Sequence, residues 1–236
     1  DAKHDRFQFV DKIPESEVKG RPTPVSYSFV DTHHRVWLCS EDTLYLYNSQ
    51  THKVTFIKNE FKESITSIAQ IDSTHYFIGT DAGIHCAELQ NNSLTIKPFI
   101  QLDDLNIQIN ELYYHKRSNK VFIGTFQRGM YVYDRNLQKA THLDAGLMDV
   151  SINSIKAFDD QEILIATDGA GVYKMDTKSY QCVPYIIADY NRQNAMNGNT
   201  ITNLYIDEEQ RIWMVNYPMG ITVRNNKFSD FEWIKH

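Results

Sequence analysis

The sequence predicts an all-β fold: a β-propeller of four-stranded antiparallel blades, with about five blades present. Three observations predict it. A strand, turn and strand phrase recurs as "RVWLCSEDTLYLYN" from 35, "HYFIGTDAGIHCAEL" from 75, "KVFIGTFQRGMYVYD" from 120, "EILIATDGAGVYKMD" from 162 and "RIWMVNYPMGITVRN" from 211. The anchors of these copies, Trp37, Phe77, Phe122, Leu164 and Trp213, are separated by 40, 45, 42 and 49 residues, which suits one blade per copy. An apolar pair with polar residues between precedes each of the last four anchors by about ten residues: "SITSIAQI" at 64, "QINELYYH" at 108, "SINSIKAF" at 151 and "TITNLYID" at 200.

Each blade reads outward from the axis. The apolar pairs form the innermost strands and the anchor runs the second strands. Gly83, Gly129, Gly171 and Gly220 mark the hairpin turns, where positive φ favours glycine. "GMYVYD"-type residues form the third strands. Outer strands are read in "VTFIKN" at 54, "LTIKPFI" at 94, "KATHLD" at 139, "QCVPYI" at 181 and "FEWIKH" at 231. The blades then span residues 24–63, 64–107, 108–150, 151–199 and 200–236. "DAKHDRFQFV" at the start aligns with "DTKSYQCVPY" from Asp176, so residues 1–23 read as the tail of a preceding blade and a linker. A lone strand closing the ring is the alternative. Blades bury their faces by stacking on one another, so Trp37 and Trp213 are expected to pack between blades rather than present binding platforms. The recurrent Thr80, Thr125 and Thr167 are expected to serve the turns.

Composition narrows the function classes. A chain of 236 residues with 42% hydrophobic residues and a net charge of -6 is large enough for a sizeable core. Its acidic balance and lack of a Lys/Arg stripe argue against nucleic acid. No apolar run approaches the ~20 residues that cross a bilayer, and "DAKHDRFQF" lacks the basic and apolar regions of a signal peptide, so no direct membrane insertion by this segment is expected. Cys39, Cys86 and Cys182 have neither disulfide nor zinc spacing and read as packed free thiols.

"INELYYHKRSNKVFIGTFQRGMYVYD" from Ile109, "INSIKAFDDQEILIATDGAGVYKMD" from Ile152 and "ITNLYIDEEQRIWMVNYPMGITV" from Ile201 carry a specific resemblance. An "I-x-x-I" or "I-x-x-L" pair, a polar turn, a strand ending in "IGT", then glycine and "Y-x-Y-D" resemble the two-component-regulator propeller repeat. The resemblance covers essentially the whole chain; the first copy departs from it with Thr43 in place of glycine. It implies the periplasmic sensor region of a hybrid sensor histidine kinase of the gut Bacteroidetes, an inner-membrane protein. It also implies a larger ring of about seven blades, an oligosaccharide ligand, the remaining propeller and sensor domains as partners, and a homodimer at full length.

No kinase signature lies within these residues, so no enzymatic activity, cofactor or metal is assigned to them. The nine histidines lack metal-ligand spacing, and "TDGAG" at 167–171 matches the hairpin turn better than a cofactor loop. Asp103 with Asp104 and Asp159 with Asp160 read as solvated turn residues. A propeller polysaccharide lyase and a structural platform without its own ligand remain the alternatives.

Topology places the expected site. Loops joining second to third strands share a face with those joining an outer strand to the next inner strand. The first class carries Phe126, Gln127, Arg128, Asp168 and Tyr217; the second carries Tyr190 and Arg192 in the insertion "IIADYNRQNAMNGN". Aromatic faces stack on sugars and arginine pairs with a uronate or sulfate, so this mixture is expected to suit an acidic oligosaccharide.

Overall fold

The computed structural model describes residues 25–40, 43–51, 53–58, 63–90, 93–100, 102, 107–189, 191, 196, 198–225 and 231–234. These form five antiparallel four-stranded sheets, the blades of a β-propeller, and no helix. The first blade holds β1 (Tyr27–Val30), β2 (Arg35–Cys39), β3 (Thr43–Asn48) and β4 (Lys53–Lys58). The second holds β5 (Ile65–Gln70), β6 (His75–Thr80), β7 (Ile84–Gln90) and β8 (Ser93–Ile100). The third holds β9 (Ile109–His115), β10 (Lys120–Thr125), β11 (Met130–Asp134) and β12 (Lys139–Leu143). The fourth holds β13 (Ile152–Ala157), β14 (Glu162–Thr167), β15 (Val172–Asp176) and β16 (Cys182–Ile186). The fifth holds β17 (Ile201–Ile206), β18 (Arg211–Asn216), β19 (Gly220–Asn225) and β20 (Phe231–Ile234). Every strand pairs with its neighbour in sequence, and all five anchors lie in the second strand.

The core consists of four clusters, one between each successive pair of blades. Trp37, Cys39 and Leu44 meet Ile65, Ile68 and Ile78 of the next blade. Phe77 meets Ile109 and Leu112, Phe122 meets Ile152 and Ile155, and Leu164 meets Ile201 and Leu204. The apolar pair of each inner strand is thus the knob that the preceding anchor receives. Trp37, Phe77, Phe122 and Leu164 are 0%, 5%, 0% and 0% exposed, and burying a large apolar side chain of this kind contributes roughly 1.5–3 kcal/mol. The "IGT" glycine makes room for the knob. A Cβ at Gly79 would stand 2.7 Å from Ile109 Cγ2, and one at Gly124 2.7 Å from Ile152 Cγ2.

Trp213, by contrast, is only partly buried, and Tyr205 and Val215 beside it are 61% and 41% exposed. Inner strands adjoin in the order β1, β5, β9, β13 and β17, with no comparable packing between β17 and β1 among the described residues. The described blades therefore form an arc, with no other described blade against the outer flank of the first or of the fifth. Residues 1–23, expected as a preceding blade's tail, lie outside the described residues.

All three cysteines are free thiols: Cys39 fully buried, Cys86 and Cys182 partly so. Burial pushes the Cys39 thiol up to about 12 and that of Cys182 to about 11. A thiol held protonated is a poor nucleophile. Cys39 is accordingly expected to resist a chromogenic disulfide reagent at neutral pH in the native protein and to react once denaturant is added; full reaction without denaturant would contradict its burial.

Candidate functional site

The inner strands of the second to fifth blades share one irregularity. Each carries a β-bulge near its start, between Ile65 and Ser67, opposite Gly124 and Thr125 for β9, between Ile152 and Ser154, and between Ile201 and Asn203. The extra residue is Thr66, Asn110, Asn153 or Thr202, and bulges re-aim such a side chain out of the ladder. All four line one open cavity of about 590 Å³ at the mouth of the propeller axis.

Two of them also bridge blades: Thr66 Oγ1 donates to the carbonyl of Ile109, and Asn153 Nδ2 to that of Ile201, 2.9 Å away. Asn110 Oδ1 accepts from Gln108 Nε2 at 3.2 Å, and Thr202 Oγ1 donates to the Val215 carbonyl at 3.3 Å. One residue further along the strands, a second polar layer supports the mouth. There Ser67 Oγ accepts from Leu112 N at 2.9 Å and Ser154 Oγ donates to Asn203 Oδ1 at 3.4 Å. Glu111 lies 3.3 Å from Lys156 in that layer; burial raises its carboxyl above the usual range although the lysine opposes the shift.

The rim comes from the loops between second and third strands, built by a repeated pair of latches. The first residue after the second strand donates its N–H to the carbonyl preceding its own inner strand: Asp81 to Ser64, Phe126 to Gln108, Asp168 to Ser151 and Tyr217 to Thr200, at 3.1, 3.0, 3.0 and 3.1 Å. The recurrent threonine closes the loop, with Thr125 and Thr167 Oγ1 donating to the carbonyls of Gly129 and Gly171 at 2.8 and 2.7 Å; Thr80 Oγ1 lies 3.1 Å from the Gly83 carbonyl and donates to Glu63 Oε2 at 2.7 Å. The fifth blade has Asn216 there; its Nδ2 donates to the Gly198 carbonyl at 3.1 Å, and its buried Oδ1 has no partner among the described residues.

These latches bring Phe126, Asp168 and Tyr217, all expected from the sequence, to equivalent places on the cavity wall with Gln108 and Thr200. Phe126 is 46% and Tyr217 70% exposed, so each offers an aromatic face to solvent. Gln127 and Arg128 are exposed in the same loop but are not among the residues lining the cavity. Gln127 adopts a φ of 55°, with its N–H on Ser151 Oγ, and the chain turns there. The Arg128 carbonyl accepts from His142 Nε2 at 2.8 Å, and the His142 ring stacks on Tyr131. Tyr190 and Arg192 lie outside the described residues. What is described of their insertion is tied down: Met196 is buried, Ala188 N–H donates to Asn199 Oδ1, and the Asn199 carbonyl accepts from Gly171.

The cavity wall thus combines amides, hydroxyls, two aromatic rings and one carboxylate, Asp168. Such a set hydrogen-bonds hydroxyl-rich ligands and stacks on their apolar faces. Among the described residues, no group of three or more His, Cys, Asp or Glu side chains is placed to hold a metal ion. Sequence reasoning missed the four bulged residues, although all four copies carry Thr or Asn directly after the first isoleucine of the inner strand.

No protein-family model and no curated protein matches the sequence. Solved structures do match. The extracellular domain of BT4673 from B. thetaiotaomicron, described as a one-component system, aligns at 22% identity and a TM-score of 0.70 over 87% of this chain and 28% of its own. A second structure of that domain, described as part of a hybrid two-component system, gives 22% identity and 0.68 over 86% and 27%. The extracellular domain of BT3049 from the same organism, also described as part of a hybrid two-component system, gives 12% identity and 0.58 over 89% and 34%. The chain spans about a third or less of the length of these domains. Its fold is the propeller fold of extracellular domains described as parts of two-component systems, as the repeat resemblance implies.

Proposed function

We propose that this chain is an extracytoplasmic sensor segment of a two-component signalling protein, and that its axial mouth recognises an oligosaccharide released from a glycan. The observation that carries the ligand class is the mouth itself, where Thr66, Asn110, Asn153 and Thr202 converge beneath the rings of Phe126 and Tyr217. Fixed amides and hydroxyls pair with sugar hydroxyls, and exposed rings pack on pyranose faces. The likeness in fold to extracellular domains described as parts of two-component systems supports the signalling role and an extracytoplasmic location; a periplasmic placement, a kinase outside this segment and a homodimeric full-length protein are proposed with them on the repeat resemblance.

Calorimetry of the full sensor region against neutral and acidic oligosaccharides tests the site. Tyr217→Ala and Asp168→Ala are each expected to weaken the best ligand by about tenfold, the equivalent of about 1.4 kcal/mol. Tyr217 is largely exposed, so its loss leaves the fold intact. Arg128→Ala and Arg192→Ala in the same series measure whether an acidic group is read. Unchanged affinity in Phe126→Ala, Asp168→Ala and Tyr217→Ala together would remove the ligand from this mouth.

A second reading, a platform for further domains, is favoured by the flank of the fifth blade, against which no other described blade packs. Trp213, Tyr205 and Val215 stand where the anchors of other blades receive a successor. Both roles can coexist, with further blades of the full-length protein covering the flanks and extending the rim of the mouth.

A further inference from the structure

The face opposite the mouth holds a recess of about 380 Å³ where the third and fourth blades meet. Three loops wall it, those from β9 to β10, β13 to β14 and β15 to β16. Buried side chains staple the loops together. His115, 6% exposed, sets Nδ1 against Ser118 Oγ at 2.7 Å and Nε2 against the Asp160 carbonyl at 3.3 Å, which joins one blade to the next. Thr177, 4% exposed, donates both its N–H and its hydroxyl to the Gln161 carbonyl, each at 2.8 Å. A recess with walls fixed in this way loses little freedom when a ligand enters it.

Arg117, Lys120 and Lys178 bring three cations to the recess, and Asp160 and Asp176 two carboxylates. Each carboxylate has a partner at the recess itself. Asp176 Oδ1 accepts from the N–H of Lys178 at 3.1 Å, and from Ser179 N and Oγ at 2.6 and 2.7 Å. The Asp160 side chain is 93% exposed, 3.7 Å from Arg117. Lys120 Nζ donates to Tyr180 OH at 2.6 Å and lies 3.9 Å from Asp134. The polar chemistry open to a ligand is the Arg117 guanidinium from one blade, held only by the exposed Asp160, with the Lys178 ammonium and the Gln161 amide from the other. That is a cationic pair in a chain whose net charge is -6.

We propose that this recess is a second ligand site and that it takes a small oxyanion. The guanidinium fork of Arg117 receives two oxygens in exchange for its pairing with Asp160, Lys178 meets the charge from the facing blade, and the Gln161 amide donates to what remains. An occupant would bridge the two blades across their outer ends, away from the mouth. Both cations are solvent-exposed, so binding is screened by salt and weaker than in a buried site.

Titration calorimetry of the full sensor region with inorganic phosphate, sulfate and glucuronate, at ionic strength held constant with chloride, tests this. At least one of the three should saturate a single site. Arg117→Ala with Lys178→Ala should weaken it by at least about tenfold at unchanged melting temperature, and Asp160→Asn, which removes a competing charge, should tighten it. Phosphate and sulfate without glucuronate would assign a tetrahedral anion; glucuronate alone would assign a sugar acid. Phe126→Ala and Tyr217→Ala, at the axial mouth, should leave this binding untouched. The absence of saturation by all three, an equal response to chloride, or full affinity in the double variant would overturn the proposal.

Discussion

Replacing Gly129 with alanine is expected to destabilise the chain by about 3 kcal/mol and lower its melting temperature by about 10 °C. Two costs add. The backbone at Gly129 has a φ of 66°, a left-handed conformation that costs a residue with a Cβ about 1 kcal/mol or more. That Cβ would also stand 2.3 Å from the Leu147 carbonyl oxygen and 3.0 Å from Met148 Cα. Both atoms are backbone, so no rotamer change relieves the clash, and overpacking of this kind costs about 1–3 kcal/mol. The glycine carbonyl also receives Thr125 N–H and Oγ1, and its N–H reaches the Val150 carbonyl, so a shift here loosens the loop that carries Phe126. Gly83 turns an equivalent hairpin at a φ of 151°, with nothing within 4 Å of its would-be Cβ, and is the control. Thermal unfolding followed by tryptophan fluorescence should separate the two variants by several degrees; equal melting temperatures would contradict the packing argument.

The repeats made the architecture legible because each blade faces the same packing problem and solves it with the same residues. An anchor in the second strand and the first isoleucine of the next blade's inner strand, as with Phe77 and Ile109, state one knob-and-socket contact per interface. The rim was legible for a similar reason: Phe126, Asp168 and Tyr217 each follow the strand end directly, and one backbone latch fixes all three. Gln127 and Arg128 share that loop, but the left-handed turn at Gln127 separates them from the wall. Thr66, Asn110, Asn153 and Thr202 escaped notice because strict alternation along a strand does not reveal a bulge. The pocket on the opposite face depends on which loops of adjacent blades touch, and a period within one blade carries no such information.

Asp31→Ala is expected to cost about 3 kcal/mol and to flatten the acid end of the stability profile. The Asp31 side chain is 0% exposed, and its Oδ2 accepts from Arg35 Nε at 2.6 Å, Trp37 Nε1 at 3.1 Å and Tyr76 OH at 3.2 Å, the tyrosine coming from the next blade. Its Oδ1 takes the N–H groups of His33 and Arg35 at 2.9 and 3.0 Å. Removing the carboxylate strands the buried indole N–H of the first anchor and separates Arg35, which is 18% exposed, from its counter-ion. The remaining water around Arg35 keeps the cost at the low end of the range for a broken buried pair. Burial alone would push the Asp31 carboxyl up, but hydrogen bonds from Trp37 and Arg35 and the arginine charge outweigh it and hold the carboxyl below the usual range. Asp207 repeats the arrangement with Arg211 and Trp213 and is lowered to about 2. A carboxyl lowered by folding stabilises the native state fully above its unfolded pKa of about 4, and that contribution is lost as pH falls through the folded value. Stability of the parent should therefore fall between pH about 4 and about 2, the window set by the unfolded value and by Asp207. Urea midpoints measured across that window should fall less steeply in Asp31→Asn than in the parent, because the variant has no proton to take up at this site. Parallel profiles for the two proteins would show that the Asp31 carboxylate does not carry the acid sensitivity assigned to it.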